Sequence, residues 1–145
     1  MISFSLKVII CLGLIMLIST LVGCKHEEVG TPGAQTKTQL SAQETQALIQ
    51  AKKDDPNFII VDVRTPREYQ AGHIDGAINI DFYNPSFASQ LEQLDRDKEY
   101  LIYCRSGNRS GKTYQLMTQK LGFQKVYHLT KGMIDWNREN LPLVR

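Results

Sequence analysis

From residue 38 onward, short apolar segments alternate with segments of helical periodicity. Five segments, most of them rich in β-branched or aromatic side chains, predict strands: TQL (38–40), NFIIVDV (57–63), AINI (77–80), EYLIYC (99–104) and KVYHL (125–129). Four segments between them predict helices: SAQETQALIQAKK (41–53), TPREYQAG (65–72), PSFASQLEQL (85–94) and GKTYQLMTQKLG (111–122). The pattern therefore predicts an α/β fold, with a small parallel five-stranded sheet flanked by helices on both faces.

Two of the predicted helices carry signals that begin a helix. Ser41 and Glu44 have the spacing of a capping box, in which each side chain accepts a hydrogen bond from the backbone of the other residue. Thr65 and Glu68 repeat that spacing, and Pro66 stands at the first helical position. The first of these helices carries three apolar residues on one face: Ala47, Leu48 and Ala51.

The first 24 residues form a separate pattern. Lys7 precedes an uninterrupted apolar run over residues 8–17, which is typical of a secretory signal peptide. The apolar core ends at Val22, a little short of the roughly 20 residues that a bilayer span needs. The sequence LVGC also resembles the lipobox of bacterial lipoproteins, whose cysteine is lipidated and becomes the mature N-terminus. We predict a signal peptide over residues 1–23 and lipid attachment at Cys24, with a plain signal peptide or a retained membrane anchor as the alternative.

A polar segment, KHEEVGTPGAQTK, follows the predicted lipidation site. It has no periodicity and contains Gly, Pro and Thr, so residues 24–38 are interpreted as a flexible tether and residues 39–145 as the folded domain. The protein is therefore expected in the cell envelope, on the periplasmic or extracellular face of a membrane. Lys25 takes the place of the aspartate that retains lipoproteins at the inner membrane of enteric-type bacteria, which favours the outer membrane where one exists.

Charge and cysteine content narrow the candidate chemistry. The formal net charge is +2 and no basic run occurs, so nucleic-acid binding is not predicted. Of the three cysteines, Cys11 would leave with the signal peptide and Cys24 would be a thioether, so no internal disulfide is expected. Cys104 would be the remaining thiol. The three histidines are scattered and show no metal-ligand spacing.

The candidate chemistry lies in CRSGNRS, directly after the fourth predicted strand. In parallel α/β sheets, ligands bind beyond the carboxyl ends of the strands, which is where Cys104 is expected. Gly107 allows a left-handed turn, and a loop without proline that runs into a helix can point its amides at an anion. Such a loop also lowers the pKa of a thiol. The predicted anion-binding residues are Arg105, Ser106, Gly107, Asn108, Arg109 and Ser110.

The sequence resembles the single-domain rhodaneses, which are thiosulfate-type sulfurtransferases, from about residue 40 to residue 144. Three motifs carry the resemblance. VDVRTPREYQAGHIDGAINI matches the family at Asp62, Arg64, Glu68, Gly72, His73 and Gly76. YCRSGNRS matches its active-site loop, and VYHLTKGMIDWNRENLPL matches its closing segment at Leu129, Gly132, Trp136 and Pro142. Asp75 stands where a proline is usual, and Lys131 and Asn140 where glycines are usual, all three outside the cysteine loop.

The resemblance implies that Cys104 takes a sulfane sulfur from a donor such as thiosulfate and forms a persulfide. The sulfur then passes to a thiophilic acceptor such as cyanide or a thiol, and no metal or organic cofactor is needed. Arg105 and Arg109 are expected to attract the sulfite part of thiosulfate. The alternative is a module that carries persulfide sulfur, or binds an anion, for a partner protein at the membrane, with little small-molecule turnover.

A phosphatase-type loop is a further alternative that the spacing disfavours. Protein tyrosine phosphatases separate their cysteine and arginine by five residues, whereas four residues separate Cys104 from Arg109, and Ser110 takes the next place.

Structural roles near the site are assigned to Asp62, Arg64 and Glu68. An ion pair is expected between Arg64 and Glu68 because they are four apart at a helix start. Packing roles at the core or rim are assigned to His73, His128 and Trp136.

Overall fold

The computed structural model describes residues 37–145. The predicted signal peptide, Cys24 and nearly all of the predicted tether lie outside the described residues. The strands are β1 (Gln39–Leu40), β2 (Phe58–Asp62), β3 (Ala77–Asn79), β4 (Glu99–Tyr103) and β5 (Val126–Leu129). The helices are α1 (Ala42–Ala51), α2 (Pro66–Gln70), α3 (Phe87–Glu92), α4 (Asn108–Gln115), a π-helical turn (Leu116–Lys120) and α5 (Gly132–Arg138).

The five described strands form one sheet in the order β1-β5-β4-β2-β3. All neighbouring strands are parallel, and the register places Val61 of β2 beside Ile102 of β4. Strand β4 is therefore central, with β5 on one side and β2 on the other. The predicted α/β class, strand number and strand direction are confirmed.

Two apolar clusters cover the two faces of the sheet. Tyr100 and Ile102 of β4 lie in one cluster with Met117 of the π-helical turn. Leu101, between them in sequence, lies in the other cluster with Trp136 of α5. This alternation follows from the two-residue period of a strand, and it explains why the strands of a sheet covered on both faces are apolar throughout.

Both predicted capping boxes are present. Ser41 and Glu44 bond reciprocally at the start of α1, and Thr65 and Glu68 do so at the start of α2, where Pro66 is the first helical residue. These caps satisfy backbone N–H groups that have no partner inside the helix. The two helices therefore begin where the sequence predicts.

The apolar face of α1 is not its most buried side. The buried residues of this helix are Ala42 and Thr45. The N–H of Ala42 donates to the buried carboxylate of Asp135 at 3.1 Å, which holds this side of the helix against α5. The three residues of the apolar face are exposed or only partly buried: Ala47, Leu48 and Ala51.

Helix α4 begins inside the segment that the sequence assigned to a loop. Its first residue is Asn108, so Arg109 and Ser110 belong to its first turn.

Within residues 37–145, no helix combines the length and apolar character required to cross a membrane.

Candidate active site: the cysteine loop

Cys104 follows the last residue of β4 and is almost completely buried, at 1% exposure. The backbone N–H of Gly107 donates to its Sγ atom at 3.2 Å, and the hydroxyl of Ser110 lies 3.3 Å from the same sulfur. The chain from Cys104 to Ser110 therefore curls around the sulfur and joins the first turn of α4. Cys104 is the free cysteine of the described residues.

Gly107 makes this tight curl possible. Its φ angle is +89°, and a Cβ atom at this position would lie 1.7 Å from the carbonyl oxygen of Thr130. Residues with side chains rarely adopt such backbone, and here there is no space for one. The loop is thereby pressed against the segment that follows β5.

The start of α5 supports the loop from behind. The N–H of Met133 donates to the carbonyl of Cys104 at 2.9 Å, and that of Ile134 donates to the carbonyl of Arg105 at 3.0 Å. Gly132 has a φ angle of +55°, and a Cβ there would lie 2.1 Å from the Cys104 carbonyl oxygen. The closing motif therefore contributes to the site by holding the loop backbone, through groups that a helix start leaves free.

Hydrogen bonds outweigh burial in setting the pKa of Cys104. Burial of the sulfur raises the pKa, but the hydroxyl of Ser110 and the backbone N–H groups of Ser110, Ser106 and Gly107 lower it by more. The pKa of Cys104 therefore lies below that of an ordinary cysteine, because these donors stabilise the negative charge of the thiolate. This arrangement favours a nucleophilic sulfur.

The expected Arg64–Glu68 ion pair is wrong. Arg64 instead pairs with Asp62, with a 2.6 Å contact between Nη2 and Oδ2, and the same Nη2 donates to the carbonyl of Gly72 at 2.7 Å. Both side chains of the pair are buried. Asp62 ends β2 and Arg64 lies two residues later, so the carboxylate also accepts the backbone N–H of Arg64 at 2.9 Å. This local turn geometry holds the guanidinium away from Glu68.

Glu68 pairs instead with Arg109 of the cysteine loop. Two guanidinium nitrogens of Arg109 donate to the two carboxylate oxygens at 2.7 Å each. The hydrogen bonds from Arg109 lower the pKa of Glu68 to about 2, with help from the backbone and hydroxyl of Thr65. Arg109 thus shares its charge with a bidentate partner, which the sequence did not predict.

Arg105 differs from Arg109 in its surroundings. Arg105, Ser106 and Asn108 are exposed, and Arg105 has no ion-pair partner among the described residues. A shallow recess at the mouth of the loop is lined by Glu68, Phe82, Tyr83, Arg105, Ser106, Asn108, Arg109 and Lys112. The ring of Tyr83 lies 5.6 Å from the guanidinium carbon of Arg109. The recess therefore has a cationic and aromatic rim.

His128 lies closer to the site than the sequence predicted. It is buried in β5, as expected, but its Nε2 lies 3.0 Å from the hydroxyl of Ser110. Its Nδ1 lies 2.9 Å from Oε1 of Gln39 in β1. Val126 and His128 share one face of β5 by strand alternation, and α4 packs on that face. Only the strand order, which brings β5 next to β4, could have revealed this contact.

The other residues considered from the sequence lie outside the loop. His73 stacks on Tyr69, with ring centroids 3.7 Å apart, and Trp136 is buried in the second cluster. Asn140, where the resembling family has a glycine, adopts a left-handed φ of +51°, which asparagine tolerates better than most residues. Residues 37–145 contain no group of three or more His, Cys, Asp or Glu that could hold a metal ion.

Comparison with known proteins places this geometry in a family. The model of the rhodanese-like domain family matches residues 41–139. A sulfurtransferase of Allochromatium vinosum is 32% identical over 101 residues, which cover 70% of this chain and 92% of that protein. The tRNA uridine(34) hydroxylase of Sodalis glossinidius is 38% identical over 112 residues, which cover 72% of this chain but only 30% of the hydroxylase.

Solved structures share the fold. A rhodanese-related protein from Thermoplasma volcanium has a TM-score of 0.63 and 29% identity, over 74% of this chain and 98% of that one. The thiosulfate sulfurtransferase from Pseudomonas aeruginosa has a TM-score of 0.59 and 25% identity, over 75% of this chain and 20% of that one. The family match covers most of the described residues and includes the whole cysteine loop. The chain belongs to the rhodanese-like domain family.

Proposed function

We propose that this protein is an exported, lipid-anchored sulfurtransferase that moves a sulfane sulfur from a donor such as thiosulfate to cyanide or a thiol. The observation that carries the proposal is the hydrogen bonding of the Cys104 sulfur. A backbone N–H and a hydroxyl lie within 3.3 Å of Sγ, and the pKa of the thiol is lowered although the sulfur is buried. The similarity to the Allochromatium vinosum sulfurtransferase supports the same reaction class.

In the first step, the thiolate of Cys104 attacks the outer sulfur of thiosulfate. A bond forms between Sγ and that sulfur, the bond between the two thiosulfate sulfurs breaks, and its electron pair leaves with sulfite. In the second step, cyanide or a thiolate attacks the outer sulfur of the persulfide. The electron pair returns to Sγ, which regenerates the thiolate without an external oxidant or reductant.

The loop suits both stages of this cycle. The outer sulfur of a persulfide carries negative charge, and N–H donors at the start of a helix stabilise such a charge. Exposed Arg105 gives the entrance a cation that can attract an anionic donor. Arg109 contributes less free charge because Glu68 binds it at both carboxylate oxygens.

A phosphatase reaction has less support. Four residues separate Cys104 from Arg109, and Ser110 occupies the position that the arginine has in phosphatases. Ser110 is buried against the sulfur, so no guanidinium takes that place. The hydroxylase relatives add little to the choice of reaction, because the match covers 30% of the Sodalis glossinidius protein.

A persulfide carrier is the second candidate function. The exposed rim of the loop, formed by Arg105, Ser106 and Asn108, is the observation that favours it, since a partner protein could dock there beside the buried sulfur. The two functions differ in turnover: an enzyme releases thiocyanate repeatedly when thiosulfate and cyanide are both present. A carrier that its partner loads with sulfur releases about one thiocyanate per protein and then has to be loaded again by that partner.

Export and lipidation are tested separately from the chemistry. The proposal predicts that the mature protein begins at lipidated Cys24 in the membrane fraction. Intact mass spectrometry and N-terminal peptide mapping of that fraction measure this directly. An N-terminus at Met1, or a water-soluble form cleaved elsewhere, contradicts the proposal. A Cys24→Ala chain provides the matched control and should lose the lipid while keeping the loop chemistry.

A further inference from the structure

The hydroxyl of Ser110 has one hydrogen and three acceptors around it. Its Oγ lies 3.0 Å from His128 Nε2, 3.3 Å from Cys104 Sγ and 3.4 Å from the carbonyl oxygen of Gly107. A hydroxyl donates only one hydrogen bond at a time, although it can also accept one. The state of the imidazole ring therefore decides whether Ser110 is free to donate to the sulfur.

Gln39 defines which ring nitrogen carries the hydrogen. The Oε1 of Gln39 lies 2.9 Å from Nδ1 of His128, and a carbonyl oxygen only accepts, so Nδ1 is protonated. In the neutral ring, Nε2 is then an acceptor that competes with the sulfur for the Ser110 hydrogen. In the cationic ring, Nε2 donates to Ser110, and the hydroxyl can donate to the sulfur.

We propose that His128 accepts the proton of the Cys104 thiol through Ser110. The S–H bond breaks and its proton passes to Oγ of Ser110, while the hydroxyl proton passes to Nε2. The electron pair stays on the sulfur, so the products are a thiolate and an imidazolium joined by the Ser110 hydroxyl. His128 acts through Ser110 and is therefore a positioning residue. The inference rests on the proposed function, in which Cys104 is the reacting group.

Among residues 37–145, the recess beside His128 offers no acidic side chain as a partner for the imidazolium charge. The recess beside the ring is lined by Gln39, Gly107, Asn108, Gly111, Lys112, Tyr114, Gln115 and Gln119. None of these is acidic. Of its two titratable residues, Lys112 is exposed, and Tyr114 lies with its ring centroid 6.1 Å from that of His128 and its hydroxyl 3.0 Å from Thr38 Oγ1. The thiolate is thus the anion that balances the ring.

Packing keeps the ring in place for this role. A Cβ atom on Gly111 would lie 3.4 Å from Cε1 of the imidazole, so the glycine leaves the ring just enough room. Burial lowers the pKa of His128, while the carbonyl of Gly107 acts in the opposite direction. Burial therefore disfavours a lone imidazolium at this position, and the negative charge of the thiolate is needed to stabilise the protonated ring.

The first test measures thiolate formation in the full chain as a function of pH. Thiolate absorbance in the ultraviolet is recorded with the Cys104→Ser chain subtracted, so other cysteines cancel. The glutamine of His128→Gln can still hydrogen-bond to Ser110 but cannot take up the proton. The midpoint of thiol ionisation should therefore rise by about one pH unit, which lowers the thiolate fraction at pH 6 about tenfold. His73 lies outside the cysteine loop, where its ring stacks on Tyr69. His73→Gln is therefore the matched control and should leave the thiol midpoint unchanged.

The second test uses exposed Gln39, where a substitution should not disturb the core. Gln39→Glu stabilises the imidazolium, so the thiol midpoint should fall relative to the wild type. If His128 did not take up the proton, the new carboxylate would only repel the thiolate and would raise the thiol midpoint instead. In the Gln39→Glu, His128→Gln double variant, the midpoint should therefore rise above that of His128→Gln.

An unchanged midpoint in folded His128→Gln, or a raised midpoint in Gln39→Glu, overturns the inference. If His128→Gln does not fold, the direction of the Gln39→Glu shift decides the question. Neither measurement uses a sulfur donor. If the protein shows the predicted midpoints but accepts no sulfur, the proton transfer to His128 is supported and the proposed function is contradicted.

Discussion

The cysteine loop has two sides that differ in burial and in the partners they offer. The inner side, formed by Gly107, Ser110 and His128, is closed and hydrogen-bonded around the sulfur. The outer side, formed by Arg105 and Arg109, faces the open recess. The inner side leaves no room for a larger group at Gly107, whereas on the outer side Arg105 is exposed and Arg109 is partly buried.

This difference separates two tasks. The inner side sets the charge of the sulfur, because donors at fixed short distances stabilise a thiolate. The outer side can select among donors and acceptors, because exposed Arg105 is free to contact molecules in solution. Substitutions on the inner side should therefore change the reactivity of Cys104, and those on the outer side should change the apparent affinity for thiosulfate.

Among the substitutions that test the difference between the two sides, Gly107→Ala should have the largest effect on stability and activity. The added Cβ would meet the Thr130 carbonyl at 1.7 Å in a left-handed backbone conformation, so the loop must move away from the sulfur. We expect a loss of stability of about 2–4 kcal/mol and a drop in sulfurtransferase activity of more than about a hundredfold. Chemical denaturation and thiocyanate release measure the two effects.

Gly76→Ala is the matched control for that substitution. Gly76 also has a left-handed φ, of +76°, but nothing lies within 4 Å of a Cβ at this position. It should cost only the backbone strain, about 1 kcal/mol, and leave the activity nearly unchanged. Equal losses of activity in the two variants would mean that the close approach of Gly107 to Thr130 does not shape the site.

Ser110→Ala should have the next largest effect. It removes the hydroxyl that lowers the pKa of Cys104 but keeps the backbone N–H groups of the loop. The pKa of the thiol should rise, and transfer near neutral pH should slow by about tenfold to a hundredfold, because a lost hydrogen bond to a charged group is worth about 1.5–3 kcal/mol. The pH profile of persulfide formation measures the shift. Ser106→Ala removes an exposed hydroxyl and serves as the control; the same shift in both variants would contradict the prediction.

On the outer side, Arg105→Ala and Arg109→Ala should differ from each other. Arg105→Ala should raise the apparent KM for thiosulfate by up to about fivefold with little change in stability, since an exposed contact is worth about 1 kcal/mol or less. Arg109→Ala should instead lower stability, because it leaves Glu68 without its bidentate partner. Steady-state kinetics and thermal unfolding separate the two outcomes. Equal KM increases at unchanged stability would show that both arginines bind the donor alike.

The smallest effect should come from the pH dependence of the Glu68–Arg109 pair. The pKa of Glu68 is lowered to about 2 from a model-compound value of 4.5, first by the hydrogen bonds from Arg109. A lowered carboxylate pKa adds stability above the unfolded-state value, and this stability is lost as the pH falls toward the folded-state value. The wild type should therefore be more stable than Glu68→Gln at pH 7, and the difference should shrink between pH 4.5 and about 2. Denaturation at several pH values tests this; a constant difference contradicts it.

Much of the fold followed from local sequence patterns. The five strands, their parallel direction and the capping boxes at Ser41 and Thr65 depend on residues close together in the chain. The buried side of α1 was not predicted, because its contact with Asp135 joins residues far apart in sequence. Apolar spacing alone does not contain this information.

The site was predictable to the same extent. Cys104 and the turn at Gly107 could be placed because they lie in one short motif. The pairing of Arg109 with Glu68, and the contact of Ser110 with His128, depend on which elements become neighbours in the sheet. A four-residue spacing predicted the wrong partner for Glu68, since the Asp62 carboxylate binds the guanidinium of Arg64 within a local turn.

The most direct test of the account is whether Cys104 carries sulfur. The purified protein is reduced, treated with thiosulfate and analysed by intact mass spectrometry and peptide mapping. We expect a gain of about 32 Da, one sulfur atom, at Cys104 as a persulfide, and its removal by cyanide with release of thiocyanate. Cys104→Ser should show neither step while remaining folded, because a serine hydroxyl is hardly ionised at neutral pH and cannot form a persulfide. A reduced wild-type protein that gains no labile sulfur from any donor, or an active Cys104→Ser variant, would contradict the account.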